Sequence, residues 1–191
     1  MTLFLPDLPD GFEYQSDFIS ADEESLLATA IDQRVEFSNF EMRGVVARRR
    51  VAFFGTSSYG PNEAVGAIPD FLLPVRARCA VWAGLEPDVF AMTLINEYSA
   101  GATIGWHRDA PQFGIVAGIS LLSPCRMKLR PYIAPAAARG AGRRPPRKTT
   151  HELALEPRSG YLITGEARSA YEHSIPATTT LRYSVTFRTL R

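Results

Sequence analysis

Behind Ser20-Ala21-Asp22-Glu23, the apolar residues Leu26, Leu27, Ala30 and Ile31 recur three and four positions apart. That spacing places them on one face of a helix. Ser20 with Glu23 three residues on is a capping-box start. Asp22, Glu23 and Glu24 in the first turn suit the positive end of the helix dipole, so the pattern predicts a helix over 21–33. A second helix is predicted from about Pro69 to Gly84, with Phe71, Leu72, Val75, Cys79 and Trp82 on its apolar face and Gly84 as its C-cap. Residues 1–19 are proline-punctuated and read as extended, 34–54 hold β-rich runs such as Val51-Ala52-Phe53-Phe54, and 55–62 read as a turn or loop. From Ala91 onward the period shortens. Strands are predicted at 91–98, 103–107, 115–121, 126–132, 151–156, 160–164, 171–174 and 181–188, several bounded by Gly, Pro or Ser. Helices first and many short strands afterwards predict an α+β architecture, or a β-sandwich backed by helices.

Composition narrows this little: 46% hydrophobic and 21% charged residues over 191 positions describe an ordinary globular chain, most simply a single domain over 1–191. The net charge of +1 gives no global signal for nucleic acid, but the charge is unevenly spread. Asp7, Asp10, Glu13, Asp17, Asp22, Glu23, Glu24, Asp32 and Glu36 face a single base, Arg34, in the first 36 residues. Residues 134–150 carry Arg139, Arg143, Arg144, Arg147 and Lys148 without an acid. Such asymmetry can give one face a positive potential. The 134–150 stretch is low in complexity and reads as a mobile basic hairpin tip between two strands. Two cysteines, Cys79 and Cys125, make neither a disulfide framework nor a zinc motif. With no signal-peptide pattern and no apolar run near the roughly 18 residues of a membrane span, a cytoplasmic protein with no membrane partner is expected, and monomer is the default state.

The histidines change the picture. The chain has three, and His107 forms a His-x-Asp pair with Asp109, followed much later by His173. Positions i and i+2 of a strand face one side, so His107 and Asp109 can both point inward near a strand end while Arg108 faces away and Trp106 packs outward against a helix. Two imidazoles and one carboxylate suit Fe(II) and leave about three coordination positions open. A bare His-x-Asp is also common in loops without a metal. Downstream, Arg182, Ser184, Thr186 and Arg188 share strand parity. Arginines on the inner face of a strand need anions. Either a dicarboxylate cosubstrate or neighbouring Asp and Glu side chains can supply them. His151 has no partner in the pattern and reads as a surface residue.

Taken together, these segments resemble the AlkB-type Fe(II)/2-oxoglutarate dioxygenases. Asn96-Glu97-Tyr98-Ser99-Ala100-Gly101 leads to His107-Arg108-Asp109, Gly165-Glu166-Ala167-Arg168 precedes His173, and Arg182-Tyr183-Ser184-Val185-Thr186-Phe187-Arg188 closes the series in the family's order. The likeness runs from about Leu94 to Arg188. It implies a double-stranded β-helix (jelly-roll) core backed by the two N-terminal helices. It implies His107, Asp109 and His173 as iron ligands, Asn96, Tyr98, Arg182 and Arg188 around 2-oxoglutarate, and Ser184 lining that pocket. Fe(II), 2-oxoglutarate and O2 are the implied reagents. Ser184 stands where the family usually has asparagine, and Ala110-Pro111 stands where some DNA-repair members carry another acid.

The resemblance implies oxidative dealkylation of bases in nucleic acid. An N-methyl group, once hydroxylated, leaves as formaldehyde, and 2-oxoglutarate ends as succinate and CO2. An alternative is hydroxylation of a tRNA nucleoside, a protein side chain or a small molecule at the same site. A non-enzymatic binding module is disfavoured by the intact ligand set. Enzymes that act on a base take it out of the stack and hold it between flat side chains. About 34–62 is where the family carries its nucleotide-recognition lid. Phe40 and Tyr59 are candidates to stack the base, with Phe37, Phe53 and Phe54 read alternatively as core. Arg49 is a candidate phosphate contact, as are Arg43, Arg48 and Arg50. Arg168 is expected to support the site through an ion pair, with a substrate role as the family's alternative.

Overall fold

The computed structural model describes residues 8–42, 45–56, 66–134 and 150–191. Tyr59, Arg43 and all five bases of the expected hairpin tip lie outside those residues.

The capping box forms as the sequence predicts. Glu23 N–H donates to Ser20 Oγ at 3.1 Å and Ser20 N–H donates to Glu23 Oε2 at 2.8 Å. They open α1 (Ala21–Arg34). Leu27 and Ile31, four residues apart, are its buried pair, while Leu26 points to solvent. The second helix begins with a 3-10 turn at Asp70–Leu72 and continues as α2 (Leu73–Ala83). Gly84 ends it in the left-handed conformation, at φ 67°, which glycine adopts without a Cβ penalty. A third, unpredicted helix, α3 (Gly165–Ser169), is a short turn.

The strands are β1 (Phe12–Gln15), β2 (Ser38–Met42), β3 (Val45–Gly55), β4 (Met92–Tyr98), β5 (Ile104–His107), β6 (Phe113–Leu121), β7 (Cys125–Pro131), β8 (His151–Leu155), β9 (Gly160–Ile163), β10 (Tyr171–Ile175) and β11 (Arg182–Leu190). They form a seven-stranded sheet in the order β1-β9-β6-β11-β4-β3-β2 and a four-stranded sheet in the order β5-β10-β7-β8. Neighbouring strands within both sheets run antiparallel. This is the jelly-roll core with two helices behind it. β1 was not resolved from the extended N-terminal reading because only four residues pair, with β9 as partner. β7 and β8 are antiparallel partners.

Strand parity sorts the two cores. The outer face of the large sheet (Ile95, Ala117, Ile119, Leu121, Leu162, Tyr183, Val185 and Phe187) packs on Leu27, Ile31, Val75, Cys79 and Ala80 of the helices. Between the sheets lie Tyr98, Val116, Tyr161 and Ile163, against Met127, Leu129, Leu153, Leu155 and Ile175. β11 therefore carries apolar residues toward the helices and Arg182, Ser184, Thr186 and Arg188, all buried, toward the other sheet. Both cysteines are free and buried, and burial pushes the Cys79 thiol up to about 12, which removes it as a nucleophile or ligand. Among the described residues no helix is long and apolar enough to cross a membrane.

Candidate metal and cosubstrate site

Strand pairing brings the distant histidines together. β5 and β10 are neighbours, and His107 lies directly opposite His173, with ring centroids 4.3 Å apart. Asp109 completes the group: the ligating atoms of His107, Asp109 and His173 all lie within 4.8 Å of one another. Strand parity does not carry as far as Asp109. β5 ends at His107, so Asp109 reaches the cluster from the irregular segment after the strand.

The donors are prepared for a cation. His107 Nδ1 lies 2.9 Å from the Gly105 carbonyl oxygen. A carbonyl only accepts, so Nδ1 carries the proton and Nε2 keeps its lone pair for a metal. Burial lowers the His107 pKa and pushes His173 down to about 3, helped there by His107, so both imidazoles are neutral at pH 7. Burial opposes ionisation of Asp109, yet Arg188 and the two histidines outweigh it and hold the carboxyl well below its usual range. Two neutral nitrogens and one carboxylate fit Fe(II).

The inner face of β11 surrounds this cluster with cations. Arg188 Nη2 donates to Asp109 Oδ1 at 3.1 Å and Nη1 to Thr186 Oγ1 at 2.8 Å. Of the two readings open for these arginines, pairing with an acid therefore applies to Arg188. Arg182 differs. It is fully buried, its Nε donates to Ser120 Oγ at 3.2 Å, its guanidinium lies 5.1 Å from the Tyr98 ring centroid, and both terminal nitrogens lack a hydrogen-bond partner among the described residues. A buried cation with two unused donors in a planar fork fits a carboxylate of an added small molecule. Burial raises the Tyr98 phenol pKa, so Tyr98 stays a neutral donor.

A cavity of about 220 Å³ joins the His107, Asp109 and His173 cluster to Tyr98 and Arg188, while Arg182 lies behind the Tyr98 ring and does not line it. Its walls include Asn96, Tyr98, Ser184 and Arg188 on the large sheet, the cluster of His107, Asp109 and His173, and Phe40 with Arg49 on the β2–β3 hairpin. Arg49 Nε donates to Asn96 Oδ1 at 3.1 Å, and its guanidinium lies 4.3 Å from the Phe40 ring centroid. Phe53 also lines the cavity, whereas Phe54 and Phe37 pack on the outer core. That hairpin extends the large sheet at its edge.

Other expectations change. Arg168 forms no ion pair among the described contacts; it donates to the carbonyls of Ala110, Phe113 and Gly114 at 2.7, 2.8 and 3.0 Å, and so braces the loop after Asp109. Buried and clamped in this way, it does not line the cavity. Trp106 packs under the Arg130 guanidinium at 4.0 Å. His151 is half-buried against Tyr171, with ring centroids 5.8 Å apart, and its register with Leu129 puts it on the same inner row as His173. Arg108 does not face away: it lines the cavity. A strand ending at His107 was the missing signal, because parity stops where pairing stops.

Comparison with known proteins agrees with this geometry. The profile of the 2OG-Fe(II) oxygenase superfamily matches residues 11–188. An Arabidopsis thaliana protein described as "Alkylated DNA repair protein ALKBH8 homolog" is 28% identical over 176 residues, covering 84% of this chain and 49% of that protein. The chain thus spans about half the length of that curated relative. The solved structure of OsALKBH1 superposes with a TM-score of 0.69 at 13% identity, covering 95% of this chain and 99% of the other. A Pseudomonas putida prolyl-4-hydroxylase superposes with a TM-score of 0.62 at 13% identity, covering 95% and 93%. At such identities these structures speak for the fold, the jelly roll seen here. With its profile match and its cluster of two imidazoles and a carboxylate, the chain belongs to the 2OG-Fe(II) oxygenase superfamily, whose dioxygenase chemistry uses Fe(II), 2-oxoglutarate and O2.

Proposed function

We propose that this dioxygenase removes alkyl groups oxidatively from bases in nucleic acid, working as one domain over 1–191. The observation that carries the reading is the aromatic wall of the metal cavity: Phe40, with Arg49 across its face at 4.3 Å, lines the same cavity as His107 and His173. A flat base drawn out of its stack needs such a surface beside the reacting centre. The Arabidopsis relative, described as an alkylated DNA repair protein, points the same way.

In this reading His107, Asp109 and His173 hold the iron. Arg182 takes the far carboxylate of 2-oxoglutarate through its two free terminal nitrogens. Asn96, Tyr98 and Ser184 shape the cosubstrate pocket. Arg188 keeps Asp109 ionised and oriented. Arg168 fixes the loop that presents Asp109. Phe40 stacks the base, Arg49 orients Asn96, and the buried apolar walls exclude bulk water. Bound iron with 2-oxoglutarate and O2 supplies the power to hydroxylate an unactivated C–H bond.

The test uses protein reconstituted anaerobically with Fe(II) and 2-oxoglutarate, then exposed to air with a single-stranded oligonucleotide carrying one N-methylated or etheno base. Mass spectrometry is expected to record loss of the lesion mass, dependent on both iron and 2-oxoglutarate. Succinate formation with the oligonucleotide unchanged would sink the dealkylase reading and turn the search to a tRNA nucleoside, a protein side chain or a small molecule.

A further inference from the structure

We propose that Arg108 and Tyr132 form an anion clamp at the mouth of the metal cavity, holding a phosphate of the nucleic-acid strand beside the base being oxidised; this inference rests on the nucleic-acid reading above. Arg108 stands between His107 and Asp109, just past the end of β5, where it is exposed and still lines the cavity. Its guanidinium carbon lies 3.6 Å from the Tyr132 ring centroid, and Nη1 donates to the Ser169 carbonyl at 3.2 Å. Tyr132 is itself tied down, its N–H donating to the Ala170 carbonyl at 2.7 Å. Three segments, the ends of β5 and β7 and the α3–β10 junction, thus converge on one cation.

Among the described residues this cation has no counter-ion. Among the described residues no Asp or Glu pairs with Arg108, whereas Glu97 neutralises Arg50 and Glu172 neutralises Arg130. Its Nε–H and second amino group make no hydrogen bond to the described residues. An arginine stacked on a tyrosine face has already given up most of its rotamer freedom. The unused edge of its planar fork matches a phosphate in geometry and charge. A second stacked pair, Arg130 on Trp106 at 4.0 Å, stands on the same two strands. Alternating aromatic and guanidinium planes are the surface that single strands use. A base entering toward Phe40 brings its own phosphates to the rim, which favours a phosphodiester over a peptide carboxylate.

The test is binding of a fluorescein-labelled single-stranded oligonucleotide to the full chain, without turnover, across a salt series. For the unaltered protein, affinity is expected to fall linearly on a log–log plot. Arg108→Gln is expected to weaken binding about 5- to 20-fold at low salt and to reduce the slope by about 0.7, the value of one phosphate contact on a single strand. Arg108→Lys is expected to keep the slope while losing part of the affinity, and Tyr132→Leu to do the same. In turnover of a methylated oligonucleotide, Arg108→Gln is expected to raise KM far more than it changes kcat. Equal affinity and slope in Arg108→Gln, with the unaltered protein binding well, would overturn the clamp and leave the nucleic-acid reading standing. No oligonucleotide binding by the unaltered protein at any salt would overturn both. Arg108-dependent binding of an Asp/Glu-rich peptide in its place would reassign the clamp to a protein substrate.

Discussion

At single residues, the two inner arginines of β11 behave as opposites despite identical parity. Arg188 already has its anion in Asp109, with both side chains nearly buried, at 7% and 11% exposure. Removing one partner of such a pair strands a buried charge. Asp109→Ala is therefore expected to cost the metal-free protein about 3–5 kcal/mol in urea unfolding, in addition to abolishing turnover. Arg182 has two buried donors with no hydrogen-bond partner among the described residues. Arg182→Met is expected to leave the metal-free protein as stable or more stable, while raising the KM for 2-oxoglutarate roughly 10- to 100-fold, the value of a charge-assisted hydrogen bond. A stability loss with unchanged KM would show that Arg182 serves the fold alone. His107→Ala is expected to end succinate formation with little change in the melting of the metal-free protein. Residue identity made the candidate ligands legible, because few side chains bind iron. Residue identity did not say which arginine was taken.

Elements were legible where their signals are local. The capping box of α1 involves residues three apart and forms as read. Ser20→Ala is expected to cost about 1 kcal/mol of stability without altering 2-oxoglutarate affinity, measured by denaturant unfolding and cosubstrate titration. The alternation along β11 predicted its buried polar inner face. The turn after β4 needs Gly101, at φ 81°, with Arg48 close to where a Cβ would stand. Gly101→Val is expected to destabilise the chain and loosen Asn96 and Tyr98 together, raising the 2-oxoglutarate KM. Elements were illegible where pairing decided them. β1 is a strand only because β9 accepts it, and β5 stops at His107, so the alternation carried past that point misplaced Arg108.

The whole molecule couples metal, protons and stability. His173 is pushed down to about 3 in the fold, against an ordinary value of 6.5. Between those values the unfolded chain binds the proton and the fold does not, so the metal-free protein is expected to lose stability as pH falls from about 6.5 toward 3. Asp109, also depressed, adds stability that is lost as acid protonates it. A divalent ion binding neutral imidazoles is expected to raise stability by about 2.7 kcal/mol at one hundred times its Kd, an effect that shrinks in acid. Thermal melts with and without metal across pH check both signs; a flat acid limb would remove the buried-histidine account. By itself the sequence determined the two helices, the strand alternation, the set of two histidines and a carboxylate, and the polar inner face of β11, because each depends on periodicity or residue chemistry within one segment. Only the tertiary structure decided that His173 meets His107, that Arg188 rather than Arg182 pairs with Asp109, that Arg168 spends its donors on carbonyls, and that Arg108 lies over Tyr132. Those outcomes depend on strand register and on which charges the fold buries together, quantities set by contacts between segments far apart in the chain.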